Sequence, residues 1–582
     1  MSGDSLPRQL SASRATTSAL LQAEHDAARS RCRLSLLAAG LLIALYAVLA
    51  LVHISMPGLQ YDEALFMNAA LGKKGEDPFI HSRLFGIPFM LMPYLGALKS
   101  YLFYPIFRLF GVSYLTIRGP CVLLSAITLW LWFRLISRLT SDRWGILFLL
   151  LAATNPGFVI QTRLDYGPVV LMLLLEICAL TLLLCLTEKA GLALLGAFLT
   201  TLFLGIFDKL NFLWFVVAIV PGSAVFAPSL WHSFRSKRVH AAAMIATAAL
   251  LLAGIIVWCV LPILGVYGKS LPVSWGERFT RALSVCDGSF SGTTIVLWVT
   301  HLPLRPSLFP TVPMAVILAL SVLLSVGAVA RLLMGWNPID RPADLWTVSL
   351  TVQLWGVLLQ VCQTAQATGP HHVMVLLLLG LGSVIVGMAT LARWLGRAAP
   401  YGRVLSGSVT AAAFAGSLTV TLLQTSTDLR AFRLLTQPEA LAPAWSTQIT
   451  ALAEYIEATA GPYDSILCTD WGLGTQIHGF CRSRPTRRKI RDVWNVFAVP
   501  LTSEIQSAVY NRFLSGKRVL VVTHGPHCVL MNGTRDHLMQ IITNATVKAR
   551  RLKEIPHLKD GTPLFEVYEV LPARAASTSA AL

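Results

Sequence analysis

The sequence predicts a polytopic α-helical membrane protein with about eleven transmembrane helices and a small C-terminal α/β domain. Of its 582 residues 55% are hydrophobic and only 13% are charged, whereas about a quarter of the residues of a soluble domain are charged. The mean hydropathy is +0.64, and apolar runs of bilayer-spanning length recur along the first three quarters of the chain. These observations exclude a soluble enzyme, a disordered chain and a fibrous repeat.

The charge balance fits a membrane topology. The formal net charge is +18, from 47 Lys and Arg against 29 Asp and Glu. Cytoplasmic loops of membrane proteins are enriched in Lys and Arg, so the excess favours basic inner loops over binding of nucleic acid. The ten cysteines form no CxxC pair, and no zinc or redox motif is readable.

Apolar runs predict where the chain crosses the membrane, since a helix needs about 20 apolar residues to cross a bilayer core. The first run, Leu34 to Met56, follows a polar segment, residues 1–33, that carries several arginines. It is too long for a signal peptide and predicts a retained anchor with a cytoplasmic N-terminus. The predicted spans are 34–56, 118–137, 144–162, 167–187, 191–208, 211–230, 241–264, 309–330, 345–363, 372–391 and 404–424. Threaded alternately, these runs put every short basic cluster on the cytoplasmic side.

The stretch Leu84 to Phe110 is apolar but does not fit a simple span. Pro88, Pro93 and Pro105 break it, and proline interrupts helices. We expect short helices that lie at the outer membrane surface. A hairpin that crosses the membrane twice is the alternative, and it leaves the sidedness of all later spans unchanged.

The region after the last span predicts a separate domain. The spans assign residues 34–424 to the membrane domain, and their odd number puts residues 425–572 on the outer side. Strand-like and helix-like runs alternate there, and they are 465–468, 518–523 and 564–570 for strands and 446–460 and 502–513 for helices. We expect a small α/β domain followed by a disordered tail, residues 573–582.

Two acidic positions stand at the outer ends of spans. Asp62 and Glu63 follow the first span in the stretch GLQYDEA, and Asp165 stands in QTRLDYGP, directly before the fourth span. Asp62 or Glu63 could instead cap the helix that follows them. Asp165 could cap the span that begins near Pro168. Both positions lie on the same side at similar depth, and carboxylates that face one cavity can hold a divalent ion or act as a general base.

Cationic residues come from the same face of the membrane. Lys99 lies in the interfacial stretch, Arg163 precedes the second acidic position, and Lys209 lies in the turn between spans five and six. Charges between closely spaced apolar runs usually pair or line a polar cavity. Snorkelling toward headgroups is the alternative for Lys99, and a simple polar turn is the alternative for Asp208 and Lys209.

The last outer loop is short and ends in two histidines. His371 and His372 open span ten, and histidine can bind metal, donate to phosphate or act as acid and base. Consecutive residues of a helix point about 100° apart. We therefore do not expect both rings to serve the same ligand.

The order of these features resembles the GT-C class of membrane glycosyltransferases, in particular the family 39 type protein mannosyltransferase and aminoarabinose transferase-like group. The resemblance covers residues 34–424. Its elements are one anchor helix, the Asp62-Glu63 pair in a long first outer loop, the GVS triplet and Arg118 before the second span, the R-x-D-x-G-P stretch 163–168 and a short late outer loop. The Asp-Glu pair alone is a weak pattern, and its position makes it moderately specific.

The resemblance implies transfer of a sugar from a polyprenyl-phosphate carrier to a lipid, glycan or protein acceptor on the outer face. Asp62 would be the general base that deprotonates the acceptor hydroxyl. Glu63 and Asp165 would orient the substrates, and Asp62 with Asp165 would be candidate ligands of a divalent cation such as Mg²⁺ or Mn²⁺. Lys99, Arg163 and Lys209 would neutralise the leaving polyprenyl phosphate, and His371 or His372 would approach the same phosphate or the metal.

Two other classes of function fit a polytopic chain with polar outer loops. A secondary transporter also has ten or more spans with polar groups, but the sequence shows no internal repeat and its ionisable residues gather in outer loops. A noncatalytic scaffold with a sensory outer domain is the third reading. We expect the protein in a bacterial inner membrane, with its N-terminus in the cytoplasm and its C-terminal domain outside.

Overall fold

The structure is a computed structural model, and it describes residues 33–71, 80–189, 191–263, 273–305, 311–335, 340–364, 369–398, 401–499, 502–544 and 548–571. Within these residues the chain forms a helical part followed by an α/β domain. The predicted polar segment before Arg33 and the predicted tail 573–582 lie outside the described residues.

The chain begins with the predicted anchor and the helix that carries the acidic pair. The first helix, α1 (Arg33–Leu51), is apolar and ends five residues before the predicted limit at Met56. The second, α2 (Tyr61–Leu71), has Asp62 and Glu63 in its first turn, and its residues are buried from Tyr61 to Ala69. This helix therefore lies inside the protein and does not float at the membrane surface.

The stretch that follows is partly strand, which the sequence analysis did not expect. An antiparallel ribbon is formed by β1 (Ser82–Leu84), β2 (Ile87–Met92) and β3 (Leu95–Gly96), and one helix follows, α3 (Leu98–Phe110). The expectation of short helices is wrong for the first half, where β2 pairs antiparallel with both β1 and β3. The double-crossing alternative is wrong too, because α3 has only 13 residues.

Helices make up the rest of the membrane domain. They are α4 (Tyr114–Leu139), α5 (Asp142–Ala152), α6 (Pro156–Leu164), α7 (Val170–Glu188), α8 (Leu192–Asp208), α9 (Leu210–Ser233), α10 (Arg235–Ile263), α11 (Trp275–Phe290), α12 (Thr293–Thr300), α13 (Met314–Leu333), α14 (Arg341–Gln363), α15 (Val375–Ala398) and α16 (Gly402–Leu435). Nine helices of the described chain are long and apolar enough to cross a membrane, or eleven if the bent pairs α5–α6 and α11–α12 each form one span. The predicted polytopic helical fold is confirmed, and the chain is an integral membrane protein.

Each of the eleven predicted runs corresponds to helix, but three details differ. The run 144–162 is not straight, because α5 and α6 meet at 70° where Asn155 caps α6 and Pro156 starts it. The run 191–208 is a helix of only 17 residues. The sequence analysis missed the α11–α12 pair, which bends by 73°, because four charged residues between 277 and 287 interrupt its apolar pattern.

The C-terminal part is the predicted α/β domain. Its elements are α17 (Gln448–Thr459), β4 (Ser465–Cys468), α18 (Leu473–Phe480), α19 (Arg484–Lys489), β5 (Ile490–Asp492), α20 (Trp494–Phe497), α21 (Ser503–Val509), β6 (Val519–His524), α22 (Thr534–Asn544), β7 (Lys548–Pro556) and β8 (Pro563–Leu571). The sheet order is β5-β4-β6-β8-β7, with β4 parallel to both of its neighbours. The sequence analysis missed β5 and β7. Strand β7 is an edge strand with mostly exposed polar side chains, so it lacks the apolar alternation of a buried strand.

The C-terminal domain packs against the segment that carries the acidic pair. The Gly58 N–H donates to the Trp445 carbonyl at 2.8 Å, and the Gln476 amide donates to the Leu59 carbonyl at 2.6 Å. A side chain at Gly58 would clash, because its Cβ would lie 2.3 Å from the Ser446 carbonyl oxygen. The domain and α2 therefore share one end of the molecule.

Candidate active site

The first turn of α2 separates its two acids. Glu63 accepts the backbone N–H of Gln60 at 3.1 Å, which is the position of the acid in a capping box. The Asp62 N–H donates to the Gln60 side-chain oxygen at 2.6 Å. These two bonds cap the N-terminus of α2 and do not involve the Asp62 carboxylate. That carboxylate is directed to a partner outside α2. The capping alternative thus fits Glu63 and does not fit Asp62.

Asp62 and Lys209 meet at a single glycine. Asp62 Oδ2 accepts the Gly167 N–H at 3.0 Å, and Lys209 Nζ donates to the Gly167 carbonyl oxygen. Gly167 has a φ of +62°, and a Cβ there would lie 2.3 Å from the His371 ring. Only glycine fits this backbone and this space. The carboxylate, the ammonium group and the imidazole are therefore gathered around one residue without a side chain.

Asp165 has both of its carboxylate oxygens occupied. Oδ1 accepts the backbone N–H groups of Val169 and Val170 at 2.7 and 2.9 Å, so it caps the start of α7. Oδ2 accepts Lys99 Nζ at 2.6 Å. The cap that the sequence analysis gave as an alternative and the pairing with Lys99 are both present. Asp165 is thereby fixed beside Asp62 but is not free to bind another group.

Glu63 forms a buried ion pair with Arg118 of α4. The guanidinium donates from Nε and Nη2 to the two carboxylate oxygens at 2.6 and 2.8 Å. It also donates to the carbonyls of Ile54, Pro57 and Gly58. Both side chains are almost fully buried. The pair fixes the connection between α1 and α2, and Glu63 does not face Asp62 across a cavity.

Arg163 lies away from the acids and has a different set of partners. Its guanidinium donates to the carbonyls of Val52 and Met56 at 2.7 and 2.5 Å, and to that of His53. It also lies over the Phe432 ring at 5.3 Å. Arg163 therefore holds the C-terminal end of α1. These contacts do not favour the expected role in binding phosphate.

The two histidines lie in the turn before α15, and their rings contact each other. The centroids of His371 and His372 are 4.1 Å apart, and His371 packs edge-to-face on Tyr166 at 4.9 Å. Nδ1 of His371 is buried and has no hydrogen-bond partner within the described ranges. Burial and the neighbouring His372 and Lys209 hold the pKa of His371 well below its usual range, so the ring is neutral at pH 7.

Burial and nearby charges shift the pKa values of the central groups in opposite directions. Burial raises the pKa of Asp62 to about 6, although the Gly167 amide, Lys209 and Lys99 oppose the shift. Burial lowers the pKa of Lys209 to about 8 against the pull of the nearby carboxylates. For Lys99 burial also disfavours the charge, but the Asp165 carboxylate outweighs it and raises the pKa above its usual range. A carboxylic acid and a lysine whose pKa values both lie within about one unit of pH 7 thus stand on either side of Gly167.

Asp165 and Glu63 have no free oxygen for a divalent cation. Both oxygens of Asp165 are taken up by two backbone amides and Lys99, and Glu63 is occupied by Arg118. Among the residues that the structure describes, no group of three or more His, Cys, Asp or Glu side chains converges as metal ligands. Asp62 and Asp165 do not form a carboxylate cage for Mg²⁺ or Mn²⁺.

A cavity of about 360 Å³ opens beside this site. Tyr166, which separates Asp165 from Gly167, lies in its wall with its ring 5.9 Å from Trp298 and 5.6 Å from Trp445. The other lining groups that matter here are Gln60, His301 and Trp471. None of the residues that line it is Asp, Glu, Lys or Arg. The charged site therefore borders a neutral, largely aromatic space.

The sequence analysis missed several of these residues. The aromatic rings come from four distant segments, so no local pattern could bring them together. Arg118 gave a readable signal, a charge at the start of an apolar run, but its partner could not be deduced. Arg83 of the ribbon was also missed, and both of its terminal nitrogens are buried without a hydrogen-bond partner in the described part of the chain. A buried guanidinium of this kind is suited to an anion.

Comparisons with known proteins give structural likeness only. No protein-family model matches the chain, and no curated protein matches it. ArnT from Cupriavidus metallidurans bound to undecaprenyl phosphate is 12% identical with a TM-score of 0.46, over 90% of this chain and 97% of that one. The Archaeoglobus fulgidus oligosaccharyltransferase in the apo form is 10% identical with a TM-score of 0.48, over 84% of this chain and 69% of that one. Both are glycosyltransferases of the GT-C class that the sequence resembles. The function of this chain has to be inferred from its own side chains.

Proposed function

We propose that this chain is a membrane glycosyltransferase that moves a sugar from a polyprenyl-phosphate carrier to a hydroxyl group of an acceptor on the outer face of the membrane. The observation that carries the proposal is the cluster at Gly167. There a carboxylate with a raised pKa and a lysine with a lowered pKa flank one residue beside a neutral cavity. Such a cluster suits transfer between a neutral acceptor and a phosphorylated donor.

Asp62 is the proposed general base. It is 9% exposed, against 2% for Glu63 and 1% for Asp165, so it is the least buried acid of the three. The other two candidate acids are already paired, Glu63 with an arginine and Asp165 with a lysine. A pKa of about 6 leaves Asp62 ionised at pH 7 and still basic enough to take a proton in the transition state.

The reaction is a single displacement with inversion at the anomeric carbon. The acceptor hydroxyl oxygen attacks that carbon and forms the new C–O bond. The bond from the anomeric carbon to the phosphate oxygen breaks, and its electron pair leaves with the polyprenyl phosphate. The hydroxyl proton passes to Asp62. Charge on the leaving phosphate is the feature that the protein must stabilise.

Lys209 is the proposed partner of that phosphate. Its ammonium group has three donors, and the Gly167 carbonyl accepts one of them. An arriving phosphate would favour the charged form of a lysine whose pKa is about 8. Lys99 acts through charge alone, because Asp165 already binds it. Glu63 and Arg163 become positioning residues in this proposal, and the histidines remain candidate phosphate contacts through His371.

One observation favours the transporter alternative. Glu176 is buried within α7, and Asp428 is buried in α16 beyond the predicted span 404–424. The sequence-based statement that ionisable residues gather in outer loops is therefore incomplete for Glu176. Neither carboxylate has a hydrogen-bond partner among the described residues. Transport sites need polar groups that converge at mid-membrane. These two acids offer no such cluster, and the scaffold alternative has no observation in its favour.

The test is sugar transfer by the purified protein. The native chain, Asp62→Asn and the matched variant Glu176→Gln would be incubated with a panel of labelled polyprenyl-phosphate sugars and with lipid, glycan and peptide acceptors. We expect transfer by the native chain, and a loss of about 100- to 10,000-fold in Asp62→Asn because the general base is gone. Glu176→Gln should retain activity. Unchanged turnover in Asp62→Asn would remove Asp62 as the base. The sugar, a bacterial inner-membrane location and any cation requirement remain predictions.

A further inference from the structure

The aromatic cavity is built partly by the C-terminal domain. Trp445 lies in the connection from α16 to that domain, and Trp471 lies in the loop after β4. Both are outside residues 34–424, the part of the chain that carries the motifs of the sequence resemblance. The remaining rings, Tyr166 and Trp298, come from the membrane domain. The cavity therefore exists only because the two parts of the molecule contact each other.

A set of buried hydrogen bonds fixes Trp471 in this wall. The preceding residue, Asp470, accepts the N–H groups of Trp471, Leu530 and Met531 at 2.8, 2.8 and 3.0 Å. His524 at the end of β6 pairs with the same carboxylate at 2.8 Å. The Trp471 ring in turn packs against Tyr61 of α2 with centroids 4.8 Å apart. Such a preformed ring needs little reorganisation to receive a ligand.

The chemistry of the lining selects a neutral ligand with apolar faces. The walls are mostly aromatic and carry no Asp, Glu, Lys or Arg side chain, so a phosphate has no lysine or arginine partner inside. A volume of about 360 Å³ lies near the lower end of the range of about 300 to 1,000 Å³ for small-molecule sites, which suits one or two rings. The C–H faces of a pyranose ring pack on aromatic faces, while its hydroxyls reach the polar edge groups.

The cavity is also connected to the proposed base. Gln60 lies in its lining and accepts the Asp62 N–H through its side-chain oxygen. Tyr166 also lines the cavity, one residue before the Gly167 N–H that binds the Asp62 carboxylate. A ring held here would have a hydroxyl close to Asp62. The cations Lys209 and Lys99 do not line the cavity.

We propose that this cavity binds the terminal, uncharged pyranose ring of a glycan acceptor, so that the chain extends a sugar and does not modify a protein side chain. The proposal rests on the proposed function. The acceptor is favoured over the donor sugar because the donor carries a phosphate, which belongs beside the cations. A peptide acceptor is disfavoured because its backbone amides would need hydrogen-bond partners, and the walls are mostly ring faces.

The first experiment measures transfer kinetics. Trp471→Ala and Trp298→Ala would be compared with the conservative variant Trp471→Phe and with Trp231→Ala, a control at an exposed tryptophan outside the cavity. The acceptors would be methyl hexosides and short oligosaccharides, with a serine-containing peptide as the third arm. We expect the two alanine variants to raise the acceptor KM about tenfold or more. The donor KM should change much less than the acceptor KM, and Trp471→Phe should restore most of the affinity.

Three results would overturn the proposal. These are a donor KM that rises in place of the acceptor KM, a peptide that is glycosylated while the hexosides are inert, and an acceptor KM that does not respond to Trp471→Ala. Thermal unfolding of each variant separates loss of binding from loss of fold.

A second readout does not need turnover. Methyl hexosides should quench the tryptophan fluorescence of the full-length protein saturably, and Trp471→Ala should remove most of the saturable signal while glycerol gives none. Quenching without any transfer would contradict the proposed function and leave the cavity assignment standing. Transfer without saturable, Trp471-dependent quenching would contradict the cavity assignment alone.

Discussion

Asp62 and Asp165, which stand at helix ends, differ from Glu176 and Asp428, which stand inside helices. Asp62 and Asp165 each accept backbone N–H groups and lie beside a lysine. Glu176 and Asp428 are as deeply buried, yet their oxygens have no partner among the described residues. An isolated carboxylate in an apolar interior is most stable as the neutral acid. Burial alone therefore does not make a reactive group, and the surrounding donors decide which acid stays charged and where it points.

We expect the largest loss of activity from a change of Gly167, the residue that binds both Asp62 and Lys209. In Gly167→Ala the new methyl group meets His371, and the backbone must leave its positive φ, so both the Asp62 and the Lys209 contacts shift. We expect a loss of activity on the order of 1,000-fold. The measurement is kcat/KM for sugar transfer.

Gly516→Ala is the matched control for Gly167→Ala. Gly516 also has a positive φ, at +68°, but a Cβ there meets nothing within 4 Å. The Gly516→Ala variant should therefore lose some stability but little activity. Equal activity losses in both variants would attribute the Gly167 effect to general backbone strain and not to the site.

The cation side of the cluster should give the next largest effect. Lys209→Gln keeps a donor for the Gly167 carbonyl but removes the charge that stabilises the leaving phosphate. We expect kcat to fall about 100-fold. Lys548→Gln, at an exposed lysine of β7, should leave kcat within about twofold. If Lys209→Gln left kcat unchanged, the phosphate would have to be stabilised by Lys99, His371 or Arg83 instead.

The acids inside the helices should give the smallest effect. Glu176→Gln replaces a buried carboxyl by an amide of the same shape, and no cation or amide partner is lost. We expect transfer within about twofold of the native chain and an unfolding temperature that is equal or higher. The measurements are initial rate and thermal unfolding in detergent. A large drop in rate would show that Glu176 takes part in the function, and would revive the transport alternative.

Much of the fold was predictable from residue type alone. Long apolar runs predicted α1, α4 to α10 and α13 to α16, and strand-like runs predicted β4, β6 and β8. Prediction failed where the pattern of apolar residues does not indicate the secondary structure. The α11–α12 pair carries charge within its apolar sequence, and the ribbon β1–β3 has prolines and apolar residues that suit several conformations.

The sequence predicted several residues of the site but not the contacts that they make. Asp62, Asp165, Lys99 and Lys209 do gather, because each stands where a helix begins or ends on the same side. Sequence could not tell that Arg163 turns toward the end of α1, since its partners are backbone carbonyls that any residue supplies. Nor could it find the aromatic cavity, whose rings meet only through packing of the C-terminal domain.

The pH dependence of sugar transfer tests the central claim most directly. Asp62 is protonated below its pKa of about 6 and ionised above it, while Lys209 is charged below its pKa of about 8 and neutral above it. The account predicts that kcat/KM rises with pH up to about 6, stays level, and falls above about 8. In Asp62→Asn the low-pH rise should disappear. A native profile without that rise, or a rise that persists in Asp62→Asn, would contradict Asp62 as the base.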